Sequence, residues 1–208
     1  MDKKKILFMG DSITDAGRDY TCDYHMGYGY PTLVAASLGY DRPNEFVLQN
    51  RGISGNRVID LLSRIKADMI NLKPDYMSIL IGVNDVWHGL GENPNGVDAP
   101  LFEVYYDMLL SQLQTALPNL KIMILEPFLT HGTGTDEQWD TFRSEVEKRA
   151  AVAKKMAEKY NLPFVPLMKC FDDACKIAPD EHWTRDGVHP TDAGHELIKR
   201  AWLEAFPG

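Results

Sequence analysis

The chain predicts an α/β fold with a mostly parallel five-stranded sheet. Three observations predict it. Five short apolar runs, at residues 6–9, 46–49, 77–81, 122–125 and 164–167, alternate with helical apolar patterns along the 208 residues. The third run, Met77-Ser78-Ile79-Leu80-Ile81, is nearly all apolar, as a central strand covered on both faces requires. The first run ends in Gly10-Asp11-Ser12, a turn that presents a hydroxyl at the carboxyl edge of the sheet, where open α/β folds bind ligands.

The elements follow in order. Residues 15–27, rich in Gly, Asp and Tyr, read as a loop, and a helix over about 30–38 ends at Gly39. After the second strand, residues 51–56 are turn-rich. Val58, Leu61, Leu62, Ile65 and Met69 then recur at helical spacing until Lys73-Pro74-Asp75 breaks the pattern. The segment 89–96 is an exposed loop. The next helix, about 99–117, carries Leu101, Val104, Tyr105, Met108 and Leu109 on one face and stops at Pro118. Thr135-Asp136-Glu137-Gln138 has the form of a capping box opening a helix to about Tyr160. A last helix, about 191–205, buries Leu197, Ile198, Ala201 and Trp202. No repeat or linker divides the chain, so residues 1–208 read as one domain.

Composition narrows the function. A net charge of −8 argues against a nucleic-acid surface. The basic start is followed by an apolar run too short for a signal-peptide core, and no segment is long enough to span a membrane. Three cysteines without CxxC spacing read as reduced thiols, so a cytoplasmic location is expected.

The polar residues at the strand ends suggest chemistry. Ser12, Gly55 and Asn84 follow strands one, two and three, and in a parallel sheet their loops share one edge. Asp186 and His189 lie in the loop before the last helix. A tight loop can set a carboxylate against one imidazole nitrogen three residues on, leaving the other nitrogen for a remote serine. The backbone N–H groups of Ser12 and Gly55 and the Asn84 amide would supply three donors to a developing oxyanion.

These blocks, Gly10-Asp11-Ser12, Gly52-Ile53-Ser54-Gly55-Asn56, Gly82-Val83-Asn84-Asp85 and Asp186-Gly187-Val188-His189-Pro190, resemble in order and distance those of the SGNH hydrolases, the GDSL-type esterases and lipases. The resemblance runs from Ile6 to about Trp202. It implies a flavodoxin-like three-layer α/β/α sandwich, Ser12 as nucleophile, His189 as base, Asp186 as its partner, and Gly55 with Asn84 in the oxyanion hole. The first block continues Ile13-Thr14 rather than with Leu, which leaves the nucleophile position intact. The flanking segments 11–18, 50–56 and 81–87 resemble the intracellular acetylxylan esterase branch. That branch implies removal of acetyl groups from short xylo-oligosaccharides, and often a homo-oligomer.

Several residues keep two readings. Gly52 competes with Gly55 as the oxyanion donor, and the family motif favours Gly55. Asp11, Trp87 and Trp183 are the candidate substrate contacts. Asp11, like Asp85, could instead hold its loop through backbone hydrogen bonds, and the tryptophans could pack at the sheet edge rather than wall an acyl pocket. Asp15 and Arg18 touch substrate or are solvated, with Arg18 leaning to a structural role. Arg51 and Arg57 are surface charges or sugar contacts. His182, His189 and His195 fit no common metal spacing, so neither metal nor cofactor is expected. The expected partner is a small acylated substrate, an acetylated sugar, with no nucleic acid and no membrane. The alternatives are a thioesterase or lysophospholipase, or a non-catalytic phosphate- or flavin-binding module.

Overall fold

The computed structural model describes residues 3–208. Five strands, β1 (Lys4–Gly10), β2 (Phe46–Asn50), β3 (Tyr76–Leu80), β4 (Lys121–Leu125) and β5 (Phe164–Val165), form one sheet in the order β2-β1-β3-β4-β5. Every pairing is parallel, so the sheet is wholly rather than mostly so. All the strand carboxyl ends therefore lie along one edge. The order reverses between β1 and β3, whose following loops diverge and open a crevice. Gly10 pairs with Leu80 and Phe8 with Asn50, which brings the ends of β1, β2 and β3 level.

Alternation along β1 feeds two cores. Ile6 and Phe8 join one apolar cluster with Tyr30, Val34 and Leu38 of α2 (Tyr30–Asp41) and with Ile198 and Trp202 of α10 (Asp192–Ala205). Leu7 and Met9 join the other, with Val58 and Leu61 of α3 (Val58–Ser63), Ile65 of α4 (Ile65–Asp68), α6 (Ala99–Ala116) and the second half of α7 (Trp139–Tyr160). These helical layers on the two faces of the sheet make the three-layer sandwich.

Several elements differ from the sequence pattern. Helix α2 passes Gly39, which no neighbouring atom constrains, and ends at Asp41. The helix expected over 58–69 is broken at Arg64 (φ −107°, ψ 12°), whose guanidinium turns back to the Arg51 carbonyl and the Asn56 side chain. Helix α6 buries Phe102, Tyr106, Leu109, Leu110 and Leu113, whereas Leu101, Val104 and Met108 lie on its exposed side. Two apolar stripes share that helix, and periodicity alone does not tell which one meets the sheet.

The capping box does not form. The Thr135 hydroxyl is buried and donates to the Thr130 carbonyl at 2.9 Å, so a 3₁₀ turn over Asp136–Gln138 leads into α7 instead. Strand β5 stops at Val165 because Pro166 has no N–H for the ladder, and α8 (Leu167–Ala174) starts at once. One-turn helices α1 (Ser12–Asp15), α5 (Val83–Trp87) and α9 (Asp180–Trp183) are too short to show a period.

Gly52 owes its place to close approach. A Cβ there would stand 2.3 Å from the Asp15 backbone nitrogen, where the loop after β2 crosses the loop after β1. Gly52→Ala is expected to cost about 1–3 kcal/mol, the usual range for overpacking, because backbone on both sides must yield. Urea unfolding of the variant beside the parent protein checks this.

Candidate active site

The site is assembled where the ends of β1, β2 and β3 meet the loop before α10. Gly10 lets the chain turn tightly, since a Cβ would approach the Leu80 carbonyl to 2.5 Å and the Thr14 hydroxyl to 2.3 Å. Asp11 caps α1 by accepting the Ile13 N–H at 3.0 Å. Ser12 is the first residue of that turn, so its own N–H has no intrahelical acceptor.

His189 comes from the opposite end of the chain. Its loop is closed by an antiparallel bridge between Thr184 and Pro190 and by the Arg185 N–H bonded to the His189 carbonyl at 2.8 Å. Gly187 takes φ +97° and lies so close to Thr135 that a Cβ would reach its hydroxyl at 2.4 Å. The Thr130 N–H bonds the Gly187 carbonyl and the Gly134 N–H the Asp186 carbonyl, fixing the loop to the segment after β4.

Within that loop Asp186 Oδ2 lies 2.7 Å from His189 Nδ1, while Oδ1 accepts the Val188 and His189 N–H groups at 3.0 and 2.8 Å. His189 Nε2 lies 2.9 Å from Ser12 Oγ. Nδ1 therefore carries the proton toward Asp186 and Nε2 offers its lone pair to the serine. Burial alone would raise the Asp186 carboxyl, but the His189 side chain and the two backbone donors outweigh it and hold it at about 2. The same hydrogen bond, against the desolvation of the ring, raises His189 above the ordinary imidazole value.

Donors surround the serine. Gly55 takes φ +81°, a conformation that favours glycine, and Asn84 lies in α5 just past β3. Neither the Ser12 nor the Gly55 N–H has an acceptor among the described residues. One Asn84 N–H donates to the Asn56 carbonyl at 3.1 Å, leaving a second. Ser12, Gly55, Asn84, Trp87 and His189 line a cleft of about 420 Å³. A wider cleft of about 570 Å³ opens on the other side of Ser12 and His189, toward Tyr28, Arg185 and His195. An activated hydroxyl beside free, fixed donors can attack a carbonyl and bind the resulting oxyanion.

Two buried polar residues hold this arrangement: Asn50, and Asp15, which was expected to touch substrate or to be solvated and is instead buried in hydrogen bonds to neighbouring loops. Asn50, at the end of β2, donates to the Thr14 and Met26 carbonyls at 2.6 and 2.8 Å and accepts the Gly52 N–H. Asp15 accepts the Tyr20 hydroxyl at 2.5 Å and both the N–H and hydroxyl of Ser54, at 3.0 and 2.7 Å. It thus ties the Ser12 turn to the residue before Gly55. Arg18 is buried and donates to the Gly52 carbonyl at 2.7 Å, a structural role. Two polar side chains, Gln49 and Asn50, closing a strand that starts apolar were the signal available.

The three candidate substrate contacts separate. Trp87 lines the smaller cleft, its ring centroid 5.9 Å from that of His189. Trp183 lines neither cleft: its Nε1–H donates to the Ala178 carbonyl, and its ring packs beside His182 and the core. Asp11 is buried beneath the serine rather than open to substrate, with Oδ2 unpartnered. Arg51 pairs with Asp23 and Arg57 with Asp60. Among the described residues no group of three or more His, Cys, Asp or Glu side chains could hold a metal ion, and no helix is long and apolar enough to cross a membrane.

An all-parallel sheet ordered 2-1-3-4-5, with a serine, a histidine and an aspartate hydrogen-bonded in line at its switch point, is an arrangement suited to ester hydrolysis. The family model described as "GDSL-like Lipase/Acylhydrolase family" matches residues 8–197, and the chain belongs to that family. It is similar to an acetylxylan esterase from Geobacillus stearothermophilus, 35% identical over 96% of this chain and 92% of the relative. The solved structure of that organism's acetylxylan esterase Axe2 has a TM-score of 0.88 at 32% identity, covering 99% of this chain and 94% of that one. A protein from Parabacteroides merdae described as a GDSL-like lipase has a TM-score of 0.90 at 38% identity, covering 98% and 96% of the two chains. The chain is a carboxylic ester hydrolase, which sets aside the binding-module alternative.

Asp11 gives a prediction in pH. Burial, against the Ile13 N–H and the His189 charge, pushes its carboxyl up to about 7 from 3.8. A carboxyl raised on folding contributes stability fully below its unfolded pKa and loses it as pH rises through the folded value. Between pH 4 and 7 the native state holds a proton that the unfolded chain has released, so this residue lowers stability as pH rises. Asn keeps the Oδ1 acceptor and never ionises. Asp11→Asn is therefore expected to raise Tm at pH 8 and to change it far less at pH 4, which calorimetry across that range checks.

Proposed function

We propose that this esterase works through Ser12 as nucleophile, His189 as general base and acid, and Asp186 as the carboxylate that orients His189, and that its substrates are acetylated sugars, short xylo-oligosaccharides among them. The observation that carries the reading is the unbroken relay from Asp186 Oδ2 through His189 to Ser12 Oγ, at 2.7 and 2.9 Å.

In this reading Ser12 Oγ bonds to the ester carbonyl carbon while its proton passes to His189 Nε2. The imidazolium is stabilised by Asp186, which stays ionised. The carbonyl oxygen becomes an oxyanion and accepts hydrogen bonds from the Ser12 and Gly55 N–H groups and the Asn84 amide. As the tetrahedral centre collapses, the carbon–oxygen bond to the alcohol breaks, and His189 returns its proton to that oxygen. Water, deprotonated by His189, then attacks the acyl-serine and releases the acid and Ser12.

The acetyl preference is supported by Trp87, a bulky wall of the cleft that holds the oxyanion donors, and by the likeness to acetylxylan esterases. Two solved forms of Axe2 are described as catalytic mutants, one altered at a serine and one at an aspartate, which supports the roles given to Ser12 and Asp186. The three cysteines are unpaired, which suits a cytoplasmic enzyme. The exposed Leu101, Val104 and Met108 stripe on α6 suits a homo-oligomer. The partner is a small acylated substrate, and neither nucleic acid nor membrane is involved.

Asn84→Ala is expected to lose about a hundredfold to a thousandfold in kcat, with a smaller change in KM, as removal of one oxyanion donor does. Steady-state kinetics on p-nitrophenyl acetate measure it, and wild-type turnover would make Asn84 a loop-structuring residue only.

Across p-nitrophenyl esters of two to twelve carbons, kcat/KM is expected to be highest for acetate and to fall with length. Trp87→Ala is expected to flatten the fall. An open groove would reverse the trend, since each buried methylene gains about 0.8 kcal/mol. Activity rising with length, with no acetate released from acetylated xylo-oligosaccharides, would favour the thioesterase or lysophospholipase reading.

A further inference from the structure

The wider cleft beside Ser12 carries groups that the reaction itself does not use. Arg185 lines it next to Asp186 and His189. Every other arginine is ion-paired or, as Arg18, bonded to a carbonyl. Arg185 alone has no side-chain partner among the described residues, in a chain with 30 acidic and 22 basic side chains. The carboxylate nearest in sequence, Asp186, is already engaged by His189 and two backbone N–H groups.

The guanidinium charge acts on both imidazoles of the cleft, disfavouring protonation of His189, where the Asp186 hydrogen bond outweighs it, and of His195. Asp186 and Asp11 are the other charges that act on His189, and both favour its protonation.

His195 supplies a second recognition element. It is 6% exposed, on the first turn of α10, and lines the same cleft. Its Nδ1 accepts the Tyr30 N–H at 3.1 Å, so its proton is on Nε2, which has no acceptor among the described residues. Burial holds the ring far below the ordinary imidazole range, at about 4, so it is a neutral donor at working pH. Tyr28, 76% exposed, supplies an aromatic ring at the rim, of the kind that covers the apolar face of a pyranose.

Resting on the esterase reading above, we propose that this cleft binds the alcohol half of the ester, and that the alcohol is a sugar carrying a carboxylate. Arg185 holds the carboxylate, His195 Nε2–H donates to a ring or hydroxyl oxygen, and Tyr28 covers the ring face. Acidic acetylated sugars, of the uronic acid class, are the substrates that this combination favours over neutral ones.

The test compares acetate release from partially acetylated methyl β-D-glucuronoside and partially acetylated methyl β-D-glucoside, each as a mixture of positional isomers, for the wild type, Arg185→Gln and Arg185→Lys. The glucuronoside is expected to have a kcat/KM about tenfold higher, the scale of one charge-assisted hydrogen bond. That ratio is expected to shrink with added salt, to vanish in Arg185→Gln and to persist in part in Arg185→Lys. Equal rates for the two sugars in the wild type, or a ratio unchanged in Arg185→Gln, overturn the proposal and leave the esterase reading intact. Release from neither sugar, while p-nitrophenyl acetate is still hydrolysed, removes the sugar substrate itself and this proposal with it.

Discussion

The hydrogen bond between Ser12 Oγ and His189 Nε2 joins positions 177 residues apart, and the local structure of both chain ends serves its length. A hydroxyl and an imidazole exchange a proton only within hydrogen-bond reach, so two independent loops must be held to a few tenths of an ångström. On one side the Gly10 turn is pressed against β3. On the other, Gly187 lets the Asp186–His189 loop lie flat on Thr135. Each glycine meets a threonine side chain and a backbone carbonyl, Thr14 and Leu80 at Gly10, Thr135 and Thr130 at Gly187, with no room for a Cβ. The site is thus set by close packing at these two turns.

The same principle explains the polar residues behind the site. Asn50 and Asp15 are buried, and almost all their hydrogen-bonding capacity goes to the loops after β1 and β2. Such loops carry many backbone groups that a sheet would have satisfied, and buried side chains satisfy them here. Asp11 and Asp85 bond backbone as well, at the Ile13 and Val58 N–H groups, but burial raises each carboxyl to about 7, so holding these loops carries an electrostatic cost. Strained or costly groups of this kind are commonly found at functional sites.

Much of this was legible in the sequence. Five apolar runs located five strands, because a buried parallel strand must be apolar on both faces. Ser12, Gly55 and Asn84 could be read as convergent because the carboxyl ends of parallel strands share an edge, and Asp186 with His189 because their three-residue spacing suits a carboxylate–imidazole pair and the four blocks resemble those of one family. What was not legible has physical causes. Helix α6 presents two apolar stripes, and only tertiary packing chooses between them. The Thr135 motif lost to a competing acceptor, the Thr130 carbonyl, supplied by folding. Trp183 lies six residues before His189, yet its indole turns toward Ala178, since proximity in sequence does not fix side-chain direction. Asn50 and Asp15 act through partners from distant segments, which a single sequence does not display.

The central claim is that His189 in its neutral form activates Ser12. The most direct measurement is the pH dependence of covalent labelling by a fluorophosphonate, followed by intact mass and peptide mapping. One label per chain at Ser12 is predicted, with a rate that rises with pH through a midpoint above the ordinary imidazole value, because Asp186 raises His189. A label at any other residue, or a Ser12 labelling rate that does not change with pH through the imidazole range, would contradict the account.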